Sequence, residues 1–165
     1  RSRGLGDVYK RQSQNSGMNI STAGAKFVFR TIIITPSSLS NATDTYTLCF
    51  GNGVLPSGIT GANPATLGFL YTHGTNSGQW TCLYNISSTT SGVTVATSTK
   101  YILEIEFIIG TSAKFYINGT LVLTQTTGLP SQLASAYYFG GGIGKSAGTN
   151  SITAYIVNVQ SRRLI

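Results

Sequence analysis

Charged residues are unusually few in this 165-residue sequence. Charged residues make up 9% of the chain, whereas an average soluble domain carries about a quarter. Only four of them are acidic: Asp7, Asp44, Glu104 and Glu106. The chain therefore has few residues from which to build a catalytic site of paired carboxylates or a calcium site rich in Asp and Glu.

Cysteine and histidine are nearly absent as well, since Cys49, Cys82 and His73 are the only ones. Two cysteines and one histidine do not make a zinc site, because a fourth ligand and the usual short spacing are missing. For calcium, Asn52 and Asn76 stay open as ligands together with backbone carbonyls. Each cysteine falls within a predicted strand, so the alternatives are two buried free thiols or a cross-strand disulfide between neighbouring strands. We expect no metal site and no cofactor.

The net charge of +7 is dispersed rather than clustered. Residues 1–12 hold four of the eleven basic residues, and a net charge of +4 remains outside them. The other basic residues are scattered along the chain, whereas a nucleic-acid footprint would need a patch or stripe. We therefore predict no nucleic-acid partner.

The first residues differ in composition from the rest of the chain. Residues 1–12 lack a strand pattern and resemble translated sequencing-adaptor read-through, with a native basic arm as the alternative. The sequence begins with Arg rather than Met, so an upstream part of the protein, with a secretion signal in it, remains one of the alternatives. No run of about twenty apolar residues occurs, so we predict no membrane partner. We expect residues 1–24 to be a leader and linker and residues 25–165 to form one domain.

The clearest structural signal lies in residues 99–126. Leu103, Ile105 and Phe107 alternate with Glu104 and Glu106, which is the two-residue period of a half-buried strand. After a short turn a second strand runs into an Asn-Gly dipeptide, which suits a type I′ hairpin, and a third strand returns. Such a three-stranded meander with one apolar face needs a second sheet to cover it.

Similar short strands are predicted along the whole chain. Residues 87–92 are predicted to be loop, residues 110–113 a turn and residues 132–136 a single helical turn. Ten or eleven strands with almost no helix predict an all-β, two-sheet antiparallel β-sandwich of the jelly-roll kind. Outside the meander the predicted strands are residues 26–34, 45–50, 66–71, 79–84, 93–95, 137–144 and 151–160.

The order of these elements resembles the concanavalin A-like, or laminin-G-like, jelly rolls over residues 25–160. Lys100–Phe107, followed by the sequence Phe-Tyr-Ile-Asn-Gly at residues 115–119, is similar to that family's strand and Asn-Gly hairpin. Residues 152–159 are similar to its closing strand. Residues 50–53 (Phe-Gly-Asn-Gly) and 79–81 (Gln-Trp-Thr) resemble the lectin-like domains of bacteriophage tail and structural proteins. The resemblance implies a fold more strongly than a function.

The residues give little support to the hypothesis that the protein is an enzyme. The superfamily includes glycoside hydrolases, which use two carboxylates, and Glu104-Ile105-Glu106 is superficially similar to their acidic strand. The third acid of that strand is absent, and both glutamates fit the solvent-facing half of an alternating strand. A Ser-His-acid triad would depend on His73, with Asp44 or a glutamate to orient it. We predict that the protein is not an enzyme.

Binding is the remaining function. Sugar sites favour an exposed aromatic ring with amide and hydroxyl groups around it. For the tryptophan among the candidates the alternative is core packing between the sheets, and for the tyrosines it is a buried ring with a wet hydroxyl. The candidates flank one predicted turn: Tyr71, His73, Asn76, Trp80 and Tyr84.

These observations predict a non-enzymatic structural or adhesion domain of a phage-like virion, either a tail fibre or a head decoration. Its expected partners are surface glycan or other virion subunits, with a homo-oligomer left open, and its expected location is virion or extracellular. The alternative is a secreted bacterial carbohydrate-binding module appended to an enzyme. A glycoside hydrolase is the third hypothesis.

Overall fold

The computed structural model of the protein describes residues 23–52, 67–72, 74, 76–85, 87–130 and 139–164. These residues form ten strands, one short 3-10 turn at Asn76–Gly78 and no α-helix. The predicted leader (residues 1–24) lies almost entirely outside them, as does the predicted helical turn at 132–136. The strands are β1 (Lys26–Ile34), β2 (Tyr46–Asn52), β3 (Leu67–Thr72), β4 (Gln79–Tyr84), β5 (Ser87–Thr94), β6 (Lys100–Ile108), β7 (Ser112–Ile117), β8 (Thr120–Gln125), β9 (Phe139–Lys145) and β10 (Tyr155–Leu164).

The ten strands form two antiparallel five-stranded sheets. Sheet A has the order β10-β1-β6-β7-β8, and sheet B has the order β5-β4-β3-β2-β9. The meander predicted for residues 99–126 is the β6-β7-β8 half of sheet A, with Leu103 opposite Ile117 and Phe107 opposite Ala113. The predicted all-β, two-sheet sandwich is therefore confirmed.

One predicted loop was wrong, and one predicted turn is shorter than expected. Residues 87–92 belong to the edge strand β5, which pairs with β4 through residues such as Thr90 opposite Thr81. Its Ser- and Thr-rich sequence lacks apolar alternation because an edge strand that packs little against the core is held mainly by backbone hydrogen bonds. The turn predicted at 110–113 ends early, since β7 begins at Ser112.

Aromatic side chains fill the space between the sheets. The ring of Trp80 makes edge-to-face contacts with Phe50 at 6.0 Å, Tyr71 at 6.4 Å and Tyr101 at 5.6 Å between ring centroids. Tyr101 belongs to sheet A and the other three to sheet B, so Trp80 joins the two layers. Edge-to-face pairs of this kind add about 0.5–1.5 kcal/mol each beyond the burial of their area.

The two cysteines are free and buried on opposite faces of sheet B. Cys82 lies opposite Phe69 and packs in the core, whereas Cys49 lies opposite Leu70 and points to the outer face. The disulfide alternative is therefore wrong, because the two Cβ vectors point apart. Burial raises the pKa of each thiol to about 12, and the Cys49 thiol donates to the Gly142 carbonyl at 3.7 Å.

Candidate binding faces

Charge is concentrated on the outer face of sheet A. The strands β1, β6 and β7 turn their apolar positions inward, so every second residue of each strand faces outward. Ten charged residues lie in the described part of the chain, and seven of them occupy these outward positions or the matching position of β10. We call these seven the charged face: Lys26, Arg30, Lys100, Glu104, Glu106, Lys114 and Arg162.

Both carboxylates of the charged face already have a cationic partner. The Lys26 ammonium lies 3.0 Å from a carboxylate oxygen of Glu106, and Nε of Arg30 lies 4.0 Å from a carboxylate oxygen of Glu104. All four side chains are partly exposed to solvent. Within the described residues the face's other three cations, Lys100, Lys114 and Arg162, have no ion pair. The face therefore carries five positive and two negative charges.

A tyrosine lies beside the carboxylates of this face. Strand register places Tyr116 directly between Glu104 and Leu121, and Glu104 in turn lies opposite Arg30. Gln160 of β10 continues the row on the other side of Arg30. Burial raises the pKa of Tyr116, and the carboxylates of Glu106 and Glu104 raise it further. A phenol is protonated at neutral pH even without this shift, so Tyr116 can donate a hydrogen bond there. The row crosses all five strands, which spans about 19 Å at the usual strand spacing.

The outer face of sheet B has a different chemistry. Its outward positions carry hydroxyl, amide, aliphatic, thiol and glycine residues, with no charged or aromatic side chain at any of the described positions. Two of its glycines, Gly68 and Gly51, lie opposite each other, and Gly140 lies opposite Gly51. We call this set the neutral face: Thr47, Cys49, Gly51, Gly68, Leu70, Thr72, Gln79, Thr81, Leu83, Ser88, Thr90, Thr94, Gly140, Gly142 and Gly144.

Three of the predicted sugar-binding residues lie in the core. Tyr71, Trp80 and Tyr84 are 2%, 0% and 8% exposed, because all three occupy inward positions of β3 and β4. The expectation that they form an exposed aromatic platform was wrong, and the core-packing alternative describes Trp80. The Tyr84 hydroxyl is only 2.8 Å from the Thr89 hydroxyl oxygen.

The other two predicted residues do not restore that site. Asn76 lies in the short turn before β4 and donates from its side-chain amide to the Thr81 hydroxyl at 2.6 Å, at one end of the neutral face. His73 lies outside the described residues. Tyr116 and Arg30 were not among the predicted site residues. The alternation of β6 indicated that Glu104 faces outward, and both residues lie opposite Glu104 on the neighbouring strands.

One further charge pair lies away from both faces. Asp44, just before β2, accepts from the backbone N–H of Asn150 at 3.3 Å and lies 3.4 Å from the Lys145 ammonium. Burial raises the pKa of Asp44, but the hydrogen bonds from Asn150 and Lys145 outweigh this and leave it below its usual value. The group ties the β1–β2 connection to the β9–β10 connection, so we assign it a structural role.

The described residues contain no group of three His, Cys, Asp or Glu side chains close enough to hold a metal ion. Asn52, one of the two candidate calcium ligands, is the last residue of β2 and is buried. No helix in the same part of the chain is long and apolar enough to cross a membrane. The structure thus offers the outer faces of its two sheets as candidate sites. Several positions of the neutral face, among them Cys49 and Thr81, are buried, and the charged face alone combines an aromatic ring with planar polar groups.

Comparison with known proteins identifies the fold. A family described as "SO2946-like, C-terminal domain" matches residues 9–157. The crystal structure of SO2946 from Shewanella oneidensis MR-1, a protein of unknown function, is 15% identical with a TM-score of 0.56; the match covers 89% of this chain and 62% of that one. No curated protein matches the sequence.

Two alginate lyases have a similar fold. Aly36B, solved as a mutant in complex with an alginate trisaccharide, is 16% identical with a TM-score of 0.51, over 87% of this chain and 73% of that one. AlgAT5 of polysaccharide lyase family 7 is 11% identical with a TM-score of 0.53, over 92% and 65%. At these identities the likeness shows a two-sheet β-sandwich fold and nothing about activity.

Proposed function

This chain belongs to the SO2946-like C-terminal domain family, and from that premise we propose that it is a non-catalytic glycan-binding module whose binding surface is the charged face. One observation carries the proposal: the row that crosses sheet A from Gln160 through Arg30 and Glu104 to Tyr116 and Leu121. An amide, a guanidinium, a carboxylate and a phenol hydrogen-bond sugar hydroxyls. The ring of Tyr116 and the exposed Leu121 offer apolar surface to a sugar ring.

One of the proteins with a similar fold binds an oligosaccharide, which supports the proposal. Aly36B was solved with an alginate trisaccharide, so a sandwich of this shape accommodates an oligosaccharide in at least one protein. A long polymer suits an open sheet face better than a small ligand does, because small molecules usually need a concave pocket that buries most of their surface.

We propose that no sugar bond is cleaved on this face. Glu104 and Glu106 are the only acids there, and each already lies beside a cation on a partly exposed surface. A carboxylic acid that protonates a leaving group usually lies in an enclosed, apolar pocket. A catalytic role would require that Glu104→Gln abolish a measured cleavage of polysaccharide, and we expect no cleavage by the unaltered protein.

The proposed setting is the surface of a phage-like particle, where the module would serve as an adhesion or structural domain. This rests on the resemblance of residues 50–53 and 79–81 to phage lectin-like domains. A secreted carbohydrate-binding module joined to an enzyme is the alternative. Sequencing the genes on either side separates them: capsid or tail genes favour the particle, and a polysaccharide-degrading cluster or a joined catalytic domain favours the module.

The binding surface is tested with a polysaccharide array followed by titration of the best binder. Tyr116→Ala should weaken binding about tenfold or more, because the ring and the phenol are both lost. Gln79→Ala, an outward polar residue of the neutral face, is the control and should bind as the unaltered protein does. Loss of binding in the control alone would move the site to sheet B, and an array without any specific binder would refute the function.

A further inference from the structure

We propose, resting on the glycan-binding function above, that the charged face selects acidic polysaccharides. Its unpaired cations would bind the anionic groups of the polymer, and its central carboxylates would accept hydrogen bonds from sugar hydroxyls. The premise is the unequal pairing of this face. Glu104 and Glu106 each lie beside a cation, whereas Lys114 and Arg162 have no ion-pair partner in the described part of the chain.

Strand register sets the spacing of these charges. Arg162 lies opposite Val28, Val28 opposite Glu106, and Glu106 opposite Lys114. A polymer that lies across the strands along this row therefore meets a cation, an apolar residue, a carboxylate and a second cation. The two cations are three strand spacings apart, or about 14 Å. A single small anion cannot use both, whereas a chain with repeated anionic groups and hydroxyls between them can.

The same spacing disfavours a nucleic acid as the polyanion. Duplex DNA carries one negative charge per about 1.7 Å of axis, and the central carboxylates of this face would oppose it. Single-stranded nucleic acid is usually held by several aromatic rings on which successive bases stack. Two outward-facing rings lie on sheet A within the described residues, Tyr116 and the exposed Tyr155 of the edge strand β10. They are three strands and four residues apart by register, which is too far for stacking of successive bases. A sparsely charged, hydroxyl-rich polymer suits the arrangement better.

The experiment compares polymers that share a backbone and differ in charge. Polygalacturonate is paired with methyl-esterified pectin, and dextran sulfate with dextran. We expect each acidic polymer to bind about tenfold or more tightly than its uncharged partner at 50 mM NaCl, and the difference to shrink at 500 mM. A preference confined to polygalacturonate identifies carboxylate as the anionic group, and one confined to dextran sulfate identifies sulfate.

Two neighbouring arginines supply a matched control. Arg162 faces outward on sheet A, and Arg163 lies opposite inward-facing Phe27, on the other side of the strand. Arg162→Gln and Lys114→Gln should each weaken binding of the acidic polymer by about 1.5-fold to fivefold, the usual range for an exposed charge contact. Arg163→Gln makes the same change in net charge and should leave the affinity unaltered.

The outcomes separate the two proposals. Equal binding of the acidic and uncharged partners, with Tyr116→Ala still harmful, would overturn the acidic preference and keep the glycan function. Equal loss in Arg162→Gln and Arg163→Gln would show attraction by net charge alone and would also overturn it. Binding of single-stranded DNA as tightly as of polygalacturonate would overturn the choice of polymer. No binding to any polysaccharide would end both proposals.

Discussion

The charged face and the neutral face belong to one sandwich and differ in almost every chemical respect. Both are the outward halves of five-stranded antiparallel sheets, and both lie over the same aromatic core. One displays seven charged residues, and the described positions of the other display none. Strand alternation assigns the inward positions to the shared core, so the outward positions of the two sheets can carry different chemistry. The difference indicates that function is to be sought in the outward positions of sheet A.

The two faces also differ in how they are built. Much of the neutral face is backbone, because Gly68, Gly51 and Gly140 meet side by side across three strands. A Cβ added at Gly51 would overlap the Leu67 carbonyl oxygen and the Gly68 Cα. The charged face consists mainly of long side chains, and its strands pair regularly except for bulges at Ile32/Ile33 and Phe115/Tyr116. We therefore expect substitutions on the neutral face to change stability, and substitutions on the charged face to change binding.

The largest expected effect concerns the thiol of the neutral face. Cys49 is 0% exposed although it points away from the core, and its pKa is raised to about 12. At pH 8 both native thiols should react with a disulfide reagent on the order of a thousandfold more slowly than in denaturant, because the thiolate is the nucleophile and ordinary cysteine has a pKa near 8.5. Rapid native reaction of one thiol per chain would show that the neutral face is open at Cys49. Cys82→Ala assigns the reacting residue.

The second prediction measures the close approach of backbone in sheet B. Gly51→Ala should lower the free energy of unfolding by about 3 kcal/mol or more, since the added methyl group forces two strands apart. Gly92→Ala is the control, because its φ of +76° is strained for alanine while nothing lies within 4 Å. It should cost only about 1–2 kcal/mol. Urea unfolding measures both, and equal costs would mean that strain in φ, rather than the close approach, limits Gly51.

The parts of the fold that local sequence patterns determine were predictable, and the parts that depend on contacts between distant strands were not. The alternation of Leu103, Ile105 and Phe107 and the Asn-Gly turn predicted the meander, and the repetition of short strands predicted two sheets. The edge strand β5 was missed because backbone pairing, not apolar packing, forms it. Trp80 was placed in a binding site because a single strand does not reveal which of its faces is the inner one.

The charged face was only half predictable. Glu104 and Glu106 were expected to face solvent, which the structure confirms. Their partners are Lys26 and Arg30, which are more than seventy residues away in sequence and come together only when β1 pairs with β6. Scattered basic residues therefore gave no sign of a shared face. Non-local strand order, which no short window contains, decides which charges become neighbours.

A smaller effect is expected from the charge pair that lies off both faces. Hydrogen bonds from Asn150 and Lys145 hold the pKa of Asp44 below its ordinary value of about 3.9. Its ionisation therefore stabilises the fold fully above that value, and this stabilisation is lost as the pH falls through the lower native pKa. Asp44→Asn should unfold at a lower temperature than the unaltered protein at pH 7, and the gap should narrow towards pH 3. A gap that widens in acid would contradict the assignment.

The smallest expected effect tests whether the charges of sheet A stabilise the fold at all. Lys26 and Glu106 lie 3.0 Å apart but are partly exposed, and exposed pairs contribute about 0.2–1 kcal/mol. A double-mutant cycle with Lys26→Met and Glu106→Gln should give a coupling energy within that range, falling further in 0.5 M NaCl. A coupling well above about 1 kcal/mol would make the charged face a structural network. A small one leaves its side chains free to exchange their partners for a ligand, which a binding surface requires.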